Sequence, residues 1–167
     1  MAALKKFYNQ TAAIVDETMD GLVRAGRGKS RLIAGGRAIV LAEQTAGKVG
    51  VLIGGGSGHE PLFAGFIGKN MADGAVAGNI FAAPTPDIIL EATQVVDQGQ
   101  GVLYLYGNYA GDNMNFDIAT EMAAEVGLQV ETVRIWDDVA SAPFERISDR
   151  RGIAGDLFVI KIAGGAA

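Results

Sequence analysis

A chain of 167 residues, 49% hydrophobic and 20% charged, reads as one soluble domain with a sizeable core. Its net charge of −5 offers no basic face to a nucleic acid, and the lack of cysteine removes disulfides and thiolate chemistry. The opening MAALKKFYNQ has no apolar signal core and no run approaches a membrane span, so the cytoplasm is the expected compartment.

In chain order, Asn9 or Thr11 can cap a helix running to about Ala25, with Ile14, Val15, Met19, Leu22 and Val23 on one face. Arg24, Arg27, Lys29 and Arg31 then read as a solvated loop, and residues 38–42 as a short strand. Residues 48–53 fit a buried strand that breaks into a glycine loop, Gly54, Gly55, Gly56, Ser57 and Gly58. His59, Glu60 and Pro61 follow, the proline suiting a first helical turn. Backbone N–H groups in such a loop can approach a ligand, and His59, the only histidine, can take or give a proton. A glycine cluster alone reads as a tight turn, and a lone histidine as structural. Together, after a buried strand, they favour a site, because open α/β sheets bind ligands beyond the carboxyl ends of their strands. The stretch matches neither G-x-G-x-x-G nor G-x-x-x-x-G-K-[ST], so it carries no nucleotide signature.

Residues 61–67 show a short helical pattern ended by Gly68, and residues 75–82 fit a strand or a buried loop. Thr85-Pro86-Asp87 opens a helix with a cap, a first-turn proline and an acid, and Gly99 stops it. Residues 101–106 form a second buried strand ending in a polar loop over 107–113, before a helix from about Asn115 to Val126. A third strand, Val130–Ile135, ends at Trp136-Asp137-Asp138. Residues 141–155 read as a long loop, and residues 157–163 as a helix abandoned at Gly164.

This alternation predicts an α/β, three-layer Rossmann-like domain with a mostly parallel sheet. Parallel strands end on one edge, so His59 can converge there with Asp112, Asp137 or Asp138. Asp112, exposed by Gly111, is the best candidate to orient His59; its plain alternative is a turn carboxylate satisfying local N–H groups. Asp137 and Asp138 read as turn or cap residues, and no metal site is expected.

GGGSGHEP, the PTPD of residues 84–87, NYAGDNMNF of 108–116 and RRGIAG of 150–155 resemble the N-terminal half of dihydroxyacetone kinases, over nearly the whole chain. The resemblance implies transfer of a phosphoryl group to a terminal hydroxyl of a short-chain ketose. It implies that Gly56, Ser57, Gly58 and His59 bind the ketose, with His59 as general base and Asp112 binding substrate and sharing the proton handling. The donor is ATP or a phosphotransferase-system protein, and ATP or ADP with Mg is expected on a partner domain or subunit. The isolated chain is therefore expected to be inactive. A homo-oligomer is also implied.

Two departures from the family pattern follow. The ketose-binding subunit is about twice as long, and its second half supplies a histidine that anchors the ketone covalently. The single histidine here matches the base, so residues 1–167 are expected to be a fragment lacking that half. Many relatives also carry a lysine where this chain has Gly107, which implies room for a four-carbon erythrulose. The competing function is a non-catalytic ketose-binding sensor or coactivator that keeps the loop and His59.

Overall fold

Strands and helices alternate through residues 5–167, the part of the chain that the computed structural model describes. Met1 to Leu4, the start of the segment read as lacking a signal core, lie outside the described residues. The elements are α1 (Ile14–Ala25), β1 (Ser30–Ile33), β2 (Ala38–Leu41), β3 (Gly50–Ser57) and β4 (Gly74–Ile80). There follow α2 (Pro86–Val96), β5 (Val102–Gly107), α3 (Ala110–Glu125), β6 (Val130–Ile135) and α4 (Gly155–Ala166). One sheet runs in the order β1-β2-β4-β3-β5-β6. Strands β4, β3, β5 and β6 are mutually parallel, while β1 and β2 close the far edge antiparallel. No helix among the described residues is long and apolar enough to cross a membrane.

Successive residues of a strand face opposite sides, and the two cores follow that period. Leu52, Val76, Tyr104 and Tyr106 meet Ile89, Ala92, Val96, Phe116 and Ala119 of α2 and α3 on one face. Val51, Ile53, Ala75, Leu105 and Ile135 meet Phe63 and Ile160 of α4 on the other. Helix α1 covers the same side as α4 with Val15 and Met19 against Ile39 and Ala77. Helices on both faces of the sheet make the expected three layers. Burying a ring such as Phe116, which is 0% exposed, contributes about 2–3 kcal/mol.

Five local expectations are corrected. The basic loop after α1 contains β1, whose polar pattern suits an edge strand where charge blocks further pairing. Gly54 to Ser57 continue β3 rather than forming a loop, because β4 pairs with them up to Ser57↔Ile80. Pro61 begins no α-helix; only Ala64–Phe66 makes a 3-10 turn, since Leu62, Phe63, Ala64, Phe66 and Ile67 all dock on the core and leave no polar helical face. Helix α3 starts at Ala110, so the polar loop after β5 shrinks to Asn108 and Tyr109, with the Asn113 N–H bonding the Tyr109 carbonyl. Helix α4 runs through Gly164 and Gly165 to Ala166; a Cβ at Gly164 would collide with the Met71 backbone, so that glycine allows close packing rather than a stop.

The connection from β3 to β4 lies on the α4 face, where Phe63 packs, whereas β5 leads into α3 on the opposite face. Adjacent parallel strands whose connections depart to opposite faces leave a crevice at their carboxyl ends.

Candidate active site

The crevice between the ends of β3 and β5 opens into a cavity of about 1050 Å³. Gly55, Gly56, His59, Leu62 and Phe63 line it from the β3 side, and Gly107, Tyr109, Ala110, Gly111, Asp112 and Asn115 from the β5 side. Phe81 to Ala83 after β4, Gly152 to Ala154 before α4 and Asp156 in its first turn complete the wall. His59 and Asp112 thus share one cavity.

Gly55 and Gly56 lack side chains because neighbours occupy the space. A Cβ on Gly55 would stand 2.5 Å from the Phe63 ring, and one on Gly56 would stand 2.8 Å from the Ala82 nitrogen. Beyond them Gly58, at φ +109°, turns the chain into His59, and the Glu60 carboxylate accepts the Gly58 N–H at 3.1 Å. The His59 ring is exposed, with Phe63 edge-on at 6.0 Å and Phe81 at 6.1 Å between centroids. Its Nδ1 lies 3.2 Å from the Leu62 carbonyl. A proton on Nδ1 donated to that carbonyl leaves Nε2 with a free lone pair, the tautomer a general base requires.

Asp112 stands in the first turn of α3, one helical turn before Phe116 and on the same face. Phe116 is locked by a stacked contact with Tyr106 at 4.2 Å and an edge contact with Tyr104 at 5.2 Å. Asp112 Oδ1 is enclosed and meets no hydrogen-bond partner among the described residues. Burial raises its pKa to about 6, against the pull of the His59 charge. The contact that orients His59 within the chain is the Leu62 carbonyl, and Asp112 feels the His59 charge across the cavity.

The other sequence candidates take different places. Ser57 is buried and donates its hydroxyl to the Gly78 carbonyl at 2.8 Å, tying β3 to β4. Neither Ser57 nor Gly58 is among the lining residues, whereas Gly56 and Gly107 are. Asp137 accepts the N–H groups of Ile153 and Gly155 at 2.8 and 2.7 Å, and Asp138 accepts that of Ala140 at 3.1 Å. Both serve as loop and helix caps.

Asn108 donates to the Ser148 and Arg150 carbonyls at 2.9 and 2.7 Å, and the Tyr109 hydroxyl donates to the Gly152 carbonyl at 2.9 Å. These bonds clamp residues 148–152 beside the cavity, and Asn115 ties α3 to the Pro84 carbonyl at 2.8 Å. A family model described as the Dak1 domain matches residues 20–167.

The chain belongs to the Dak1 domain family. It is 45% identical over 166 residues to a Listeria innocua protein named PTS-dependent dihydroxyacetone kinase 2, dihydroxyacetone-binding subunit DhaK, covering 98% of this chain and 50% of the relative. It is 41% identical to a D-erythrulose kinase of Mycolicibacterium smegmatis, covering 98% of this chain and 28% of the relative. A crystal structure of the dihydroxyacetone kinase from C. freundii in complex with AMP-PNP and Mg2+ superposes with a TM-score of 0.90 at 40% identity, over 99% of this chain and 31% of the other. The chain spans about half the length of the dihydroxyacetone-binding subunits that it matches.

No lysine or arginine lines the cavity to meet phosphates, and among the described residues no group of three acids, histidines or cysteines could hold a metal ion. The residues present do not fit a nucleotide with its metal. Sequence reasoning missed Phe63, Phe81, Tyr109, Asn115, Gly152 and Asp156 as wall residues. One signal was available for the last of these: an acid opening the apolar run of α4.

Proposed function

We propose that this Dak1 domain is the N-terminal half of a ketose kinase and binds a short-chain ketose in the cavity between β3 and β5. The observation that carries this reading is the pairing of His59 and Asp112 across that cavity, beside a glycine-lined floor. His59 Nε2 takes the proton of the terminal hydroxyl as that oxygen attacks the phosphoryl group, while Nδ1 stays held by the Leu62 carbonyl. Asp112, whose pKa burial raises to about 6, hydrogen-bonds the substrate and shares the proton handling, and the exposed His59 ring releases the proton to solvent. The phosphoryl donor comes from a partner domain or subunit, since phosphoryl transfer rests on positioning and charge that this wall does not supply. A small ketose fills only part of a cavity of about 1050 Å³, which leaves the hydroxyl accessible to that donor. Similarity to both a dihydroxyacetone-binding subunit and an erythrulose kinase supports a three- or four-carbon ketose; Gly107 does not choose between them, because a Cβ there would stand 3.0 Å from the Tyr109 ring.

The test is phosphorylated-ketose formation by the full-length protein with its partner and donor. The variant His59→Asn should lower turnover on the order of 10²–10⁴-fold while keeping much of the ketose affinity. Turnover that survives His59→Asn would refute the base assignment. A wild type that binds ketose without ever transferring a phosphoryl group would make the protein a ketose-binding coactivator.

A further inference from the structure

Phe81 holds a backbone conformation that its side chain disfavours. Its φ is +51°, in the left-handed region, where a bulky residue is strained and glycine or asparagine is tolerated. The residue is also 76% exposed, so burial does not offset the strain. Strain of this kind, on the wall of a ligand cavity, points to a role in that cavity.

The surroundings fix the turn. The Phe81 N–H donates to the Ser57 carbonyl at 2.8 Å, and the Ala82 N–H donates to the Asn79 carbonyl at 3.0 Å. Two glycines at the end of β3 make room for it. A Cβ on Gly56 would stand 3.1 Å from the Phe81 Cα, and one on Gly58 would stand 3.3 Å from Cζ of the ring. So placed, the Phe81 ring lies with its centroid 6.1 Å from that of His59, tilted by 57°. Phe63, which is buried, meets the same imidazole edge-on. His59 therefore has an aromatic ring on each of two flanks.

Neither flank carries a hydrogen-bonding side chain, and the backbone groups nearest to them are engaged. The N–H groups of Phe81 and Ala82 are spent within the turn, and the Leu62 carbonyl is taken by Nδ1 of His59. A water is held in place only by several polar partners, and this side of the base offers none. Asparagine, which tolerates that backbone, would supply one beside His59; glycine would leave the space open to water.

We propose that Phe81 denies water a held position beside His59, so that the base activates the sugar hydroxyl and not water. This rests on the ketose-kinase reading above. In the competing step, water gives its proton to His59 and its oxygen bonds to phosphorus, while the donor leaves with the electron pair of the broken bond. Inorganic phosphate then forms in place of the ketose phosphate. Free solvent still reaches the exposed imidazole between turnovers and takes its proton, because accepting a proton needs no fixed site for attack. Phe81 acts through His59 and is a positioning residue.

The experiment measures inorganic phosphate released per ketose phosphate formed, at saturating ketose, by the full-length protein with its partner and donor. Wild type is compared with Phe81→Gly, Phe81→Asn and Phe81→Leu. The glycine and asparagine variants should raise the ratio on the order of tenfold. Phe81→Leu, still apolar and bulky, should stay within about threefold of wild type. Phe81→Gly should also leave Tm within about 3 °C of wild type, because relief of strain offsets the freedom gained by the unfolded chain. An unchanged ratio in the glycine and asparagine variants overturns the proposal; if Tm falls steeply as well, the ring is packing. A ratio that rises as much in Phe81→Leu overturns it too, since an apolar side chain then does not suffice. Turnover lost through weaker partner binding, at an unchanged ratio, would assign the ring to the partner's interface instead. In each of these cases the kinase reading stands. A wild type that forms no ketose phosphate would overturn both.

Discussion

Asp112 shows how one buried atom couples chemistry to stability. Its carboxyl is pushed up to about 6 by burial, above the ordinary 3.8. The folded chain thus binds that proton more tightly than the unfolded chain does. Stability from this group is complete below the unfolded value and is lost as the pH rises through the folded one. Asp112→Asn removes the titration, so its Tm relative to wild type should climb from about pH 4 to about pH 7 and then level off. Thermal melts across that range check it, and a flat difference would show that the carboxyl is not strained by burial.

Helix α3 is the element that delivers Asp112, and its docking depends on Phe116 between Tyr104 and Tyr106. Tyr104 is anchored in turn by its hydroxyl, 2.5 Å from that of Thr93 in α2. The ring, fully buried, joins two helices to β5. Phe116→Ala should destabilise the domain by about 3–5 kcal/mol, read from urea unfolding, because a cavity opens in a packed aromatic cluster. A loss below about 1 kcal/mol would mean that the cluster closes over the gap and that α3 is held elsewhere. At the other wall, the loop before α4 is held by Asp137 and by Asn108 and Tyr109 from the β5 end. One short segment therefore fixes two walls of the same cavity.

For the molecule as a whole, the crevice wall carries no lysine or arginine, and its polar side chains are two acids, a histidine, a tyrosine and an asparagine. Such a wall suits a neutral ligand better than a polyphosphate. Calorimetric titration of the chain with Mg-ATP should show no specific heat, and micromolar affinity would place the donor site here instead. Opposite departures of the β3 and β5 connections create this crevice, so it belongs to the topology and not to any one loop.

Much of that topology was legible from residues alone. Short apolar runs at 48–53 and 101–106 and a third strand at 130–135, separated by helical patterns, imply parallel strands, and parallel strands bring His59 and Asp112 to one edge. Local chemistry also marked the start of α2, where Pro86 and Asp87 stand in the first turn, although Thr85 makes no side-chain cap bond. Other features depend on neighbours far away in the chain. Whether Gly54 to Gly56 form a loop or a strand is decided by β4, by Phe63 and by Ala82, none of which the glycines encode. The edge strand β1 exists because β2 pairs with it through Arg31↔Val40 and its neighbours. That Asp137 caps α4 and Asp156 lies under Gly152 was settled only when β6, the loop before α4 and the Gly107 end of β5 came together. Periodicity reports which face of an element is buried, but the partner of a buried polar group is chosen by packing.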